Sequence, residues 1–383
     1  MKLIYKTLAF FGCWFLTCTA YAQDVAVLPY KVVSNKMIIE IKLNGKLVPM
    51  IFDTGGKNAI SSALKEEFKA TVIDSKQIVD ANSSTQQVDI VKLNQVETPD
   101  GKVTYKAVPF VVVDNELFTC LGVGGLIASD LWQNNTIEIN DQKKEILIKV
   151  GGTESLKTNP QAIPFAANAG GAPVFNVKVG KHDEAEVLFD SGAEAFLSVT
   201  AKDYPRLEGQ GALFMIRQGK GGGSVGVNGR GGIGNRILLE VPELIIGGNN
   251  FGKFRSSAGN SPQSLLGYGL LAYGNVTIDY VNKLFLFEPN NAGKIELAAN
   301  SKKNWDLEVG ELDNQLIVGT VWEQLEGEAE VGDVITHIDG KEIKSFSFCD
   351  KINKGFPIPN EKDQFVITVK TKQGTKNITI DKN

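Results

Sequence analysis

Two short segments carry the residues with the clearest chemical potential. "MIFDTGG" sets Asp53, Thr54 and Gly55 at the end of an apolar run, and "VLFDSGA" does the same for Asp190, Ser191 and Gly192, 137 residues later. Two carboxylates brought close together cannot both ionise cheaply, so one keeps a proton while the other stays charged. Such a pair holds a general acid and a general base at once. A water between them can lose a proton to one carboxylate while the other protonates or hydrogen-bonds the carbonyl under attack. Amide hydrolysis then needs neither a metal nor a nucleophilic side chain. Gly55 and Gly192 admit close backbone approach, and the Thr54 and Ser191 hydroxyls can bind backbone and stiffen the loops. Ile51-Phe52 and Leu188-Phe189 place each aspartate at the end of a buried strand, where loss of water strengthens the coupling.

The elements that must position these residues occur twice. "MIIEIKLNGKLVPMIFDTGG" (37–56) and "PVFNVKVGKHDEAEVLFDSGA" (173–193) each read as an alternating strand, a polar turn, a second strand and the Asp motif, which is a hairpin signature. "GGLIASDLWQNNTIEINDQKKEILI" (124–148) then matches "SLLGYGLLAYGNVTIDYVNKLFLF" (264–287). Asp53 precedes Ala128 by 75 residues and Asp190 precedes Gly267 by 77. Two anchors at nearly equal spacing mark an internal duplication. Strand-rich stretches such as 103–114 and 235–248 fill each copy. The expected organisation is two all-β lobes, 25–150 and 160–290, joined by the turn-rich "GGTESLKTNPQ" (151–161).

On these motifs the chain resembles a retropepsin-like or pepsin-like aspartic peptidase with both lobes in one polypeptide. "IFDTGG" with "LIASDL" and "LFDSGA" with "LLGYGLL" carry the likeness. The resemblance implies an all-β, bilobal pair of β-barrels. It implies Asp53 and Asp190 as the catalytic dyad, with Thr54, Gly55, Ser191 and Gly192 in support. The apolar-apolar-Gly motif is expected to form a loop crossing beneath each aspartate, and Ala128 departs from it in the first lobe. Flap hairpins over the dyad are expected from "DANSSTQQVD" (80–89) and from "QGKGGGSVGVNGRGGIG" (218–234). The implied function is an endopeptidase acting on peptides or proteins without a cofactor or metal. The active unit would be a monomer, because the chain supplies both motifs. A non-catalytic peptide-binding or scaffold protein that retains the fold is the alternative.

Residues 300–383 differ in character. "LIVGTV" and "GDVITHIDGKEI" resemble a PDZ domain, a small β+α module that adds a peptide to a sheet edge. The stretch that would hold a terminal carboxylate, "SKKNWDL" (301–307), lacks the usual glycines. Substrate recruitment, packing and regulation all stay open for this segment.

The rest of the sequence narrows the class. The formal net charge is −4 without a long basic run, which gives no reason to expect a nucleic-acid or anionic membrane partner. "MKLIYK", an apolar core and "AYA" before Gln23 have the order of a secretory signal peptide (1–22). The protein is therefore expected to be secreted or periplasmic without a span after cleavage, with a lipoprotein on Cys18 ranked behind. Cleavage leaves Cys120 and Cys349, expected as two free or buried thiols. "GRGGIG" (229–234) matches a dinucleotide fingerprint by letter, but β-branched residues and Pro242 follow where a helix would have to begin. Asp130 and Asp279 are read as capping or turn residues, and His182 and His337 receive no role.

Overall fold

The structure is a computed structural model in which residues 25–79, 85–222, 225–226, 229–297 and 303–383 are described. The segment 1–22 expected as a secretion signal lies outside them, as do the tips of both flap candidates and residues 298–302. The chain is nearly all β.

The two copies fold alike down to register. In the first, strands Lys36–Leu43 and Lys46–Asp53 form an antiparallel hairpin about Asn44–Gly45, both at positive φ, as an Asn-Gly turn favours. Lys46–Asp53 then runs parallel to Gly125–Ala128, with Asp53 opposite Ala128. In the second, Pro173–Val179 pairs with Asp183–Asp190, and Asp190 comes opposite Gly267 in a parallel pairing. Each aspartate therefore ends a strand whose preceding residues are buried on both faces, such as Met50, Ile51 and Phe52.

The copies share a base. Strands Val25–Val33, Glu145–Val150 and Asn135–Asn140 continue into Gly274–Asp279, Leu284–Pro289 and Ile163–Pro164 of the second copy. The seam is the antiparallel pairing of Ile137 with Ile278 and of Ile139 with Val276. One hydrophobic cluster runs through both copies across this seam.

Residues 305–380 build a separate core from Leu307, Val318, Ile367, Ile380 and their neighbours. Three connections tie this C-terminal segment to the rest. Strand Phe214–Gly221 of the second copy pairs with Gln315–Trp322, Gly219 lying opposite Trp322. Arg217 makes a buried ion pair with Asp306 at 2.9 Å, donates to the Trp305 carbonyl, and packs over the Trp322 ring. The third is a Cys120–Cys349 disulfide joining helix Glu116–Leu121 of the first copy to helix Phe348–Lys354. This corrects the expectation of free thiols: the two short helices dock and bring the Cα atoms to 5.0 Å. Glu116 lies beside the sulfurs, but with both sulfurs in the disulfide there is no thiolate to bind a metal.

Candidate active site

The two aspartates end equivalent strands and turn their carboxylates toward each other. Asp53 Oδ1 accepts the N–H groups of Gly55 at 2.9 Å and Gly56 at 3.1 Å. Asp190 Oδ1 accepts those of Gly192 at 2.8 Å and Ala193 at 3.1 Å. The glycines are cross-matched. A Cβ on Gly55 would lie 2.3 Å from Asp190 Cγ, and one on Gly192 would lie 2.5 Å from Asp53 Cγ. Each carboxylate thus occupies the space that the other loop frees by having no side chain.

Beneath the pair, Thr54 and Ser191 are wholly buried and bind one another reciprocally. The Thr54 N–H donates to Ser191 Oγ at 3.0 Å and the Ser191 N–H to Thr54 Oγ1 at 2.9 Å. The hydroxyls then donate across the seam, Thr54 to the Phe189 carbonyl at 3.0 Å and Ser191 to that of Phe52 at 3.3 Å. These four bonds hold the two loops at one separation.

Electrostatics follow from that closeness. Burial pushes the Asp190 carboxyl up to about 8, with the charge of Asp53 and a hydrogen bond to it acting in the same sense. The Lys36 ammonium and the Gly192 N–H oppose the rise. The pair thus keeps one proton well above the ordinary carboxylate range.

Asn58 and Asp130 belong to the site, and the turn-and-cap reading of Asp130 is corrected here. Asp130 accepts the Asn58 N–H at 3.0 Å, and Asn58 Oδ1 accepts the Ala128 N–H at 2.9 Å. In the second copy the same work falls to backbone: Gly267 N–H donates to the Phe196 carbonyl and Tyr268 N–H to that of Ala193. By strand register Leu197, opposite Leu266, takes the place of Asn58, and Gly269 stands where the first copy has Asp130. Burial lifts Asp130 to about 6 against the Asn58 N–H and the charge of Lys57. Ser129 adds a further bond, its hydroxyl donating to the Thr54 carbonyl at 2.6 Å and meeting Tyr280 Oη at 2.7 Å. A comparison of the repeated motifs held a signal for Asp130, since the second copy has Gly269 in its place. Asp279 does serve a turn, its carboxylate accepting Val281 and Asn282 N–H groups. "GRGGIG" leads into strand Gly234–Val241, so no helix N-terminus follows it.

Residues 39–131, which include Asp53, Asn58, Ala128 and Asp130, match the family model for aspartyl protease. No curated protein matches the chain. Among solved structures it is similar to the aspartic proteinase from Irpex lacteus, at 11% identity and a TM-score of 0.42, over 70% of this chain and 98% of that one.

Proposed function

We propose that the protein is an aspartic endopeptidase with Asp53 and Asp190 as its catalytic pair. The observation that carries this reading is the crossed packing, in which each carboxylate fills the gap left by the other loop's glycine. The match of residues 39–131 to the aspartyl protease family supports it. With one proton shared, the charged carboxylate takes a proton from a water and the protonated one gives its proton to the peptide carbonyl oxygen. The water oxygen bonds to the carbonyl carbon, giving a neutral tetrahedral diol. Transfer of a proton to the amide nitrogen then lets the C–N bond break. Thr54 and Ser191 keep the carboxylates at working distance.

Residues 300–383 are read as a PDZ-like module that aids recognition of substrate or partner. Export is proposed from the N-terminal signal pattern, and the Cys120–Cys349 bridge is the chemistry of an oxidising compartment. The active unit is proposed to be one chain. Incubation of the purified protein with a mixed peptide library, from acid to neutral pH, tests the reading. Cleavage lost in both Asp53→Asn and Asp190→Asn is expected. Tight peptide binding without cleavage would favour the binding-module alternative instead.

A further inference from the structure

The two halves of the site are near copies, yet one feature has no counterpart. Ser34 and Asn35, both in the left-handed region, form the two-residue turn between Val25–Val33 and Lys36–Leu43. This turn leaves its own copy and lies on the Asp190 loop. Asn35 Nδ2 donates to Glu194 Oε1 at 2.5 Å, and Lys36 Nζ donates to the Gly192 carbonyl. The Gly192 N–H in turn binds Asp190 Oδ1. A cation therefore sits on the same residue whose N–H binds one carboxylate of the pair.

The equivalent turn of the second copy approaches the Asp53 loop with nothing charged. It runs through Asn168, Ala169, Gly170 and Gly171, and the Asn168 carbonyl oxygen Oδ1 accepts the N–H groups of Gly170 and Ala172 within the turn itself. Gly170 packs on the Gly56 carbonyl, where a Cβ would lie 3.2 Å away. Where the first copy has Lys36 before Met37, the second has Ala172 before Pro173. The charged groups acting on Asp190 are Asp53 and Lys36, and Glu194 on the same loop is held by Asn35.

We propose that Lys36 is a positioning residue that breaks the equivalence of the two carboxylates, holding the Gly192 loop and setting the pH up to which the pair keeps its shared proton. This rests on the peptidase reading for its catalytic meaning but not for its charge coupling. An ammonium near a carboxylate favours the ionised form, so Lys36 brings down the pH at which the second proton leaves. Without that charge, burial and the repulsion of Asp53 would hold the shared proton to a more alkaline pH.

The test is a carbon-13 carboxyl NMR titration of aspartate-labelled protein, with Asp53→Asn and Asp190→Asn used to assign the two signals. In Lys36→Met the alkaline midpoint of the pair should move up by about one pH unit, and Lys36→Arg should stay near wild type. The alkaline limb of peptide cleavage should move with the NMR midpoint. An unchanged midpoint in Lys36→Met, in a variant that melts like wild type, overturns the proposal. If the midpoint moves but wild type cleaves nothing, the charge coupling stands and the peptidase reading fails.

Discussion

Ala128 and Gly267 occupy the same place in the two copies, each opposite an aspartate, and the chain tolerates a methyl at only one of them. A Cβ on Gly267 would lie 2.2 Å from the Ala195 carbonyl oxygen and 2.6 Å from that of Ala193. Those carbonyls are close because the second copy joins its loops by backbone bonds, from Gly267 to Phe196 and from Tyr268 to Ala193. The first copy inserts the Asn58 side chain instead, which keeps the loops far enough apart for a methyl group. Gly267→Ala is therefore expected to destabilise by about 1–3 kcal/mol through overpacking against rigid backbone and to abolish cleavage. Ala128→Gly should cost less than about 1 kcal/mol, mainly in chain entropy. Urea unfolding of the two variants with parallel activity assays compares them, and equal losses would refute the account.

Asn58→Ala should hurt more than its size suggests. It leaves the buried Ala128 N–H without its acceptor, while the Asn58 backbone N–H keeps its bond to Asp130. Losing one buried partner costs about 1–3 kcal/mol. Chemical denaturation of Asn58→Ala and of Asp130→Asn checks this, and additive losses in the double variant would show that they do not form one chain of bonds.

The duplication was legible because two anchors recur at nearly equal spacing, and it brought Asp53, Thr54, Asp190 and Ser191 out together. Their register followed from the alternation of apolar residues leading into each motif. The role of Asn58 was hidden, because it appears only against backbone bonds that the other copy makes in three dimensions. The disulfide was hidden for a similar reason: it depends on two six- and seven-residue helices docking across a sequence separation of 229. The Gly-rich stretch 218–234 is expected as a flap hairpin; at its base Gly219 and Gly221 also permit strand pairing with the C-terminal segment. A Cβ on Gly219 would meet the Val321 carbonyl at 2.2 Å, and one on Gly221 would meet Thr320 Oγ1 at 2.5 Å.

The C-terminal segment is fastened to the first copy by Cys120–Cys349 and to the second by Arg217–Asp306. Closing so long a loop restricts the unfolded chain, and loss of such a bridge typically removes about 2–5 kcal/mol. The Cys120→Ser/Cys349→Ser double variant should melt lower than wild type, and reductant should lower the wild type alone. Arg217→Met leaves Asp306 buried without its cation, a loss of about 3–5 kcal/mol, although Asn383 still donates to that carboxylate. Thermal melts with and without dithiothreitol separate the two fastenings. A wild type indifferent to reductant, with the bridge shown to be broken, would mean that the bridge adds no stability.

Stability should also carry the imprint of the aspartate pair. An unfolded aspartate ionises near 3.8, whereas Asp190 in the fold is held up to about 8. Between those values the folded chain binds more protons than the unfolded one, so stability falls as pH rises. The contribution is complete below pH 3.8 and is lost by the time pH passes about 8. Asp130, lifted to about 6, adds a loss of the same sign over the lower part of that range. Asp190→Asn removes the titration while keeping a side chain of similar shape. The Tm of wild type relative to Asp190→Asn should therefore decline steadily across that window and level off above it, while cleavage by the variant drops roughly 10²–10⁴-fold. Asp130→Asn should flatten only the part of the decline below about pH 6. A pH series of melts at constant ionic strength measures all three. A Tm difference that does not change with pH would show that Asp190 ionises like an ordinary surface carboxylate and that the two loops are not as close as their glycines allow.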